Sequence, residues 1–367
     1  MDTRNLRSGY TTGSCATAGA KASVLALTQR RTLEEVEITL PRGDRVRFTL
    51  RSCVRYSETS AECSVIKDAG DDPDVTHGAE IFTRVDLEPP PGLRYRAGTG
   101  IGTVTKPGLE LSVGEPAINP MPRRMIRHAL EEVLGVDWDR VGATVTISIP
   151  NGEALARETL NGRLGILGGL SILGTTGIVV PYSHSAFKVS ILKAIRVARA
   201  NGCAQLVLTP GGRSETFAQR TFCLPEESFI EVGDFLTQAM AYCRRYRPER
   251  VTFGALPAKF SKVAAGQLET HARDGEVDFR FLAEVGATAG LSSALLDSIR
   301  TATLAREVFA RVKEDPGHAH FFQLLGLSAQ RALSDAAQGT FPVEAILFDF
   351  DGTILARAEF GVQPSIP

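Results

Sequence analysis

The chain has 367 residues, 43% hydrophobic and 23% charged, with 41 basic against 42 acidic side chains and a formal net charge of -1. These proportions exclude a mainly disordered chain, and at roughly 100–200 residues per domain the length suggests two domains. Balanced charge argues against a nucleic-acid-binding protein, and no stretch of about 18 apolar residues is present to span a membrane. Glycine is abundant, 35 of 367 residues, which points to loops where backbone approaches a small ligand.

Residues 1–9 carry Asp2, Arg4 and Arg7 and no apolar core, so no secretory signal is read there. Residues 14–27 then predict a helix of small side chains that Thr12 or Ser14 could cap. Four β-rich segments follow, at 36–40, 45–55, 63–66 and 79–87, before Glu88-Pro-Pro-Pro-Gly92 breaks the chain. A glycine-rich stretch over 97–122 leads into a helix at 123–134, and 144–150 reads as a strand. Beyond Asn151-Gly152 the pattern becomes strand 174–181, helix 185–200, strand 205–209, helix 233–244, strand 250–254, helix 259–271, two helices at 292–313 and 320–337, and a last strand at 344–350. Strands alternating with helices imply parallel pairing. The expected fold is therefore a β-rich α+β domain over 1–150 followed by a doubly wound, Rossmann-like α/β domain over 151–367. The six cysteines, at 15, 53, 63, 203, 223 and 243, include no CxxC pair. Scattered thiols suggest a reducing cytoplasm, and no metal site is expected from them.

Several motifs carry possible chemistry. The acidic loop Asp68-Ala-Gly70-Asp71-Asp72-Pro-Asp74-Val-Thr76-His77-Gly78 offers Asp71, Asp72 and His77 as candidate catalytic groups, against the plainer reading of an Asx-turn cluster. Gly98-Thr99-Gly100-Ile101-Gly102 is only part of a dinucleotide fingerprint. It is nevertheless a candidate cofactor loop, as is Thr209-Pro210-Gly211-Gly212, which follows a strand at the carboxyl edge of a sheet. Residues 58–88 sum to -7 and residues 94–128 to +4. The plain account of that sorting is solvated faces; the functional one is a cationic recess for an anionic substrate in the stretch that holds Lys106, Arg123, Arg124 and Arg127. Near the end, Asp349-Phe-Asp351-Gly352-Thr353 resembles the first motif of haloacid-dehalogenase-type phosphatases, but only fourteen residues follow it. A buried strand running into an Asp-Gly turn is the preferred reading there.

Taken in order, the segments 9–16, 68–78, 98–108, 114–120 and 165–177 resemble the CbiD family, the cobalt-precorrin-5B (C-1)-methyltransferases of the anaerobic route to cobalamin. The resemblance runs from residue 9 to the final strand. It implies S-adenosylmethionine as methyl donor and a small-molecule tetrapyrrole as acceptor, with cobalt present only as part of the substrate and cobalt-precorrin-6A as product; the acid side chains of such a substrate would take Lys106, Arg123, Arg124 and Arg127 as clamps. It also implies neighbouring corrin-pathway enzymes as possible partners, and it leaves the oligomeric state open. One departure is Ala258 before Lys259, where the family pattern has glycine. A non-catalytic carrier of the corrinoid intermediate is the alternative reading.

Overall fold

The computed structural model describes residues 6–271 and 275–359. The chain divides into two compact units, Met1–His184 and Ser185–Pro367.

The first unit is built around the helix Thr12–Gln29, of which fifteen residues are buried. Alanine, glycine, serine and threonine occupy most of its circumference, so neighbours approach on every side and no solvent face is left. Thr11 caps it, accepting from the Ser14 amide. Among the described residues, five strands form the sheet beneath it, in the order Ser52–Arg55, Ser60–Ile66, Glu80–Leu87, Gly142–Ser148, Gly92–Ala97. All neighbours are antiparallel except the last pair. Gly19 lets the helix lie close on this sheet, since a Cβ there would stand 2.9 Å from the Thr83 side chain. The helix Pro120–Leu134, with proline in its first turn, buries Met125, Ile126 and Leu130 against the same core.

Three expectations shift here. The segment 45–55 is two strands: Arg45–Thr49 pairs with Glu35–Thr39, and Ser52–Arg55 joins the large sheet. The strand Gly92–Ala97 lies beyond the proline break. The unit boundary falls at 184 rather than 150, because the backbone of 151–184 bonds to earlier residues. Ile166–Leu167 pairs with Thr103–Val104, Ile178–Val179 pairs with Gly9–Tyr10, and Leu170 and Ile172 enter the first core.

In the second unit the sheet order is Phe229–Glu231, Gln205–Thr209, Arg250–Ala255, Val343–Phe348, Ile354–Ala358. The first four strands are parallel and the last is antiparallel. Side chains alternate between two buried faces. Leu206, Leu208, Val251, Phe253, Ala345 and Leu347 pack under the helices His184–Ala200, Leu236–Tyr246, Pro257–Ala264, Phe279–Ala289 and His318–Ala337. Val207, Phe229, Ile346 and Phe348 pack on the other side against Phe217 and Ala218 of the helix Gly212–Thr221. Both faces are therefore covered, which is why these strands read as mostly apolar runs, interrupted by buried polar residues such as Thr252 and Glu344.

Helix boundaries in this unit also differ from expectation. The stretch 292–313 is two helices, Ser293–Arg300 and Ala305–Val312. The helix expected over 259–271 ends at Ala264, and Asp278 caps a helix, Phe279–Ala289, that the pattern missed. Asp349 and Asp351 close a turn: the Asp349 amide donates to the Thr353 carbonyl and the Thr353 amide to Asp351, after which Ile354–Ala358 returns antiparallel.

Candidate functional site

The glycine-rich segments of the first unit fold onto one another. The Gly102 amide donates to the Leu170 carbonyl and the Leu170 amide to the Gly100 carbonyl, both at 2.9 Å. Ala117 donates to Gly102 and Ile172 to Ala117, both at 2.8 Å, and Asn119 donates to Ile172 at 2.9 Å. Tyr10 donates to Asp68, Thr11 to Gly177 and Gly13 to Leu173, which ties the start of the first helix to the acidic loop and to the 165–179 segment. In this weave the missing side chains of the glycines are replaced by the chain itself. A Cβ at Gly98 would stand 2.0 Å from Ser148 Oγ, and one at Gly102 would stand 2.4 Å from the Ile166 side chain. At Gly100, whose φ is +74°, it would meet the Ile149 carbonyl oxygen at 2.0 Å and Gly152 at 2.9 Å. Only Thr99 of this group is exposed. The loop holds up residues 149–152; the Ile149 amide donates to the Thr99 carbonyl.

Residues 149–155 form one wall of an open cleft of about 380 Å³, lined by Ile66, Val75, Ile149, Pro150 and Leu155 with His77, Glu80 and Asn151 as its polar groups. Of the candidate catalytic residues, His77 alone lines this cleft. Its Nδ1 accepts from the Ala69 amide at 3.1 Å. That commits the Nδ1 lone pair, so in the neutral ring Nε2 carries the hydrogen and offers a donor rather than a base.

Asp71 and Asp72 have structural partners. Asp71 accepts from the Arg7 amide at 2.6 Å and Asp72 from the Tyr182 amide at 2.9 Å. Asp68 pairs with the Arg7 side chain and also accepts from the Gly70 amide, which together hold its pKa down at about 2. Lys67, 1% exposed, donates to Asp74 at 2.6 Å, and Thr76 donates to Asp74 through both its amide and its hydroxyl. Burial would raise the Asp74 pKa; the Lys67 and Thr76 bonds outweigh it and hold the group below its ordinary value. The loop is thus braced by its own ion pairs. Among the described residues no group of three or more His, Cys, Asp or Glu side chains is placed to hold a metal ion.

The expected clamps do not line the cleft. Arg123 donates to Glu115 at 2.7 Å and to the Ile118 and Pro116 carbonyls, and its guanidinium lies over the Tyr95 ring. Arg127 pairs with Glu131 at 2.8 Å and lies over Trp138. The Lys106 stem lies across Gly165, while Arg124 is exposed.

In the second unit, Pro210-Gly211-Gly212 leaves the carboxyl end of the strand Gln205–Thr209 and enters the helix Gly212–Thr221. Gly211 stands at the helix N-cap with no side-chain cap bond. Thr209 is 0% exposed, and its hydroxyl has no hydrogen-bond partner. The next strand ends at Glu231, in register with Thr209. Asp234, just beyond, pairs with Lys259 at 2.9 Å and accepts from Thr270 at 2.8 Å. Ala258, the departure from the family pattern, is exposed at the start of its helix. Thr209 opens the candidate loop, but its unpartnered hydroxyl is not legible in the sequence, and Glu231 lies outside the motifs read there. The signal that could have found Glu231 is an acid twenty residues after Gly211, beyond a strand-to-glycine turn.

Comparison with known proteins gives two matching family models, one described as CbiD over residues 1–181 and one as CbiD, C-terminal domain over residues 269–359. A Geobacillus kaustophilus protein named cobalt-precorrin-5B C(1)-methyltransferase is 46% identical over 98% of this chain and 96% of its own length. A protein of the same name from Burkholderia pseudomallei is 44% identical, covering 96% of this chain and 97% of its own. Among solved structures, a cobalamin biosynthesis protein (cbiD) from Archaeoglobus fulgidus matches with 26% identity and a TM-score of 0.38, covering 73% of this chain and 83% of that one.

Proposed function

The chain belongs to the CbiD family, and from that premise we propose that it methylates cobalt-precorrin-5B at C-1, giving cobalt-precorrin-6A on the route to cobalamin. The observation that carries this is the 46% identity to a relative of that name over nearly the full length of both chains. S-adenosylmethionine is the donor in this reading, and cobalt enters only with the substrate. No helix among the described residues is long and apolar enough to cross a membrane, and a reaction on a soluble tetrapyrrole fits a cytoplasmic setting.

The transfer itself is a displacement. The methyl C–S bond breaks with its electron pair left on sulfur, and the ring carbon supplies the pair for the new C–C bond. Such a step asks the protein mainly for orientation and exclusion of water. In the first unit, the apolar wall of Ile66, Val75, Ile149 and Leu155 suits the flank of a macrocycle. We place the His77 Nε2–H as a hydrogen-bond donor to a peripheral carboxylate or ring oxygen there. Arg124, which is exposed, is the cation proposed for other acid side chains of the substrate, since Arg123 and Arg127 are engaged within the protein. We read the second unit, with helices on both faces of a mainly parallel sheet, as a doubly wound, Rossmann-like ligand-binding unit.

The test is incubation of the full chain with cobalt-precorrin-5B and methyl-labelled S-adenosylmethionine, followed by mass analysis. A gain of one labelled methyl group with release of S-adenosylhomocysteine is expected. Tetrapyrrole binding without that gain would make the protein a carrier of the intermediate.

A further inference from the structure

We infer that the methyl donor binds at the carboxyl edge of the second unit's sheet, with its methionine end on the Gly211–Gly212 turn and its ribose on Glu231. This rests on the methyltransferase reading above and assigns that reaction's donor site.

Four observations converge on this edge. The first is the space at its glycines. A Cβ at Gly212 would meet nothing within 4 Å, and one at Gly211 would find only Glu231 Oε1, at 3.9 Å. Neither residue has a positive φ that only glycine adopts easily; Gly211 is extended, at φ 180°. The fold thus gives no steric or conformational reason for glycine at either position, whereas close approach of a ligand to backbone does. The second is topology. The chain runs from Gln205–Thr209 over one face through the helix Gly212–Thr221 to Phe229–Glu231, then along the other face through Leu236–Tyr246 to Arg250–Ala255 on the far side of the first strand. The connection leaving Thr209 therefore runs to one side and the one leaving Ala255, to Val343–Phe348, runs to the other, which opens a crevice at these strand ends.

The third is Thr209. It shares the face of Val207, which packs against the helix Gly212–Thr221, and as the last strand residue it sits under that helix's first turn. A buried hydroxyl without a partner is unfavourable by about 1–3 kcal/mol, and a polar group seated on the turn would satisfy it. Gly211, at the N-cap of that helix, has no side chain of its own to cap the first amides, a suitable place for the donor's carboxylate. The fourth is Glu231, which ends the neighbouring strand twenty residues after Gly211. An acid at that place in a nucleoside-binding sheet accepts hydrogen bonds from ribose hydroxyls.

The experiment is calorimetric titration of the full-length protein with S-adenosylhomocysteine, for wild type, Gly212→Val and Glu231→Gln, alongside thermal melts. Gly212→Val is expected to weaken binding at least about tenfold with an unchanged melting temperature, because the added side chain enters open space. Glu231→Gln should weaken it severalfold. Either variant binding as wild type does, while folded, overturns the placement and leaves the methyltransferase reading standing. A wild type that binds no S-adenosylhomocysteine and transfers no methyl group would remove that reading and the placement together.

Discussion

A Cβ added at Gly100 in the first unit would stand 2.0 Å from a carbonyl oxygen of the protein's own backbone, whereas one at Gly212 in the second would meet nothing within 4 Å. Both glycines lie in motifs that sequence reading treats alike, as candidate cofactor loops. Their environments separate them. The 98–102 loop supports the wall at 149–152 by close backbone packing, and its glycines are needed for the fold itself. At 211–212 the fold shows no steric or conformational need for glycine. A glycine-rich motif thus points to a ligand only where the protein leaves its missing side chains unreplaced.

The sharpest way to break this contrast is Gly100→Ala. Its positive φ and the 2.0 Å approach to Ile149 leave no accommodation without backbone movement, so a loss of more than about 4 kcal/mol is expected in urea denaturation. A mild effect would mean that the weave is loose and its glycines available to a ligand after all.

Next in size is the brace of the acidic loop. Asp74→Ala strands the buried Lys67 ammonium, and a loss of about 3 kcal/mol is expected. Because the folded-state pKa of Asp74 lies below its unfolded value near 3.9, this stabilisation is complete above that value. It disappears as pH falls through the lower, folded-state value. Denaturation midpoints of wild type and Asp74→Asn should therefore converge in acid. Parallel curves down to pH about 2 would contradict the pairing.

Smaller effects separate support from chemistry. His77→Ala should leave the melting temperature within a few degrees of wild type while lowering kcat by about tenfold to a hundredfold, if its Nε2–H orients the acceptor. An unchanged kcat would reduce His77 to its bond with the Ala69 amide. Asp349→Asn should cost at most about 1 kcal/mol, since its partner Lys313 is 40% exposed, and methyl transfer should persist. A folded but inactive variant would return the Asp349 turn to consideration as a site.

Much of the second unit was legible because its parallel strands are covered on both faces. All five residues of Gln205–Thr209 and all six of Val343–Phe348 are buried, so they stand out as mostly apolar runs. The first unit was harder to read. Its 151–184 segment is anchored by two-residue ladders and single bridges, too short to leave a period. The acidic loop and the basic stretch sort cleanly by charge, yet Asp74 answers Lys67 and Arg123 answers Glu115; charge counting does not tell an internal partner from a substrate. Glu231 could have been found by spacing, whereas the orphaned hydroxyl of Thr209 becomes visible only once its neighbours are placed.

The most direct test of the contrast between the two glycine loops is a crystal structure of the full chain with S-adenosylhomocysteine bound. The expected result is the ligand at the strand ends of the second unit, its carboxylate on the Gly211–Gly212 turn and its ribose within hydrogen-bonding distance of Glu231. A ligand lying on the 98–102 loop, or in the cleft beside His77, would contradict it.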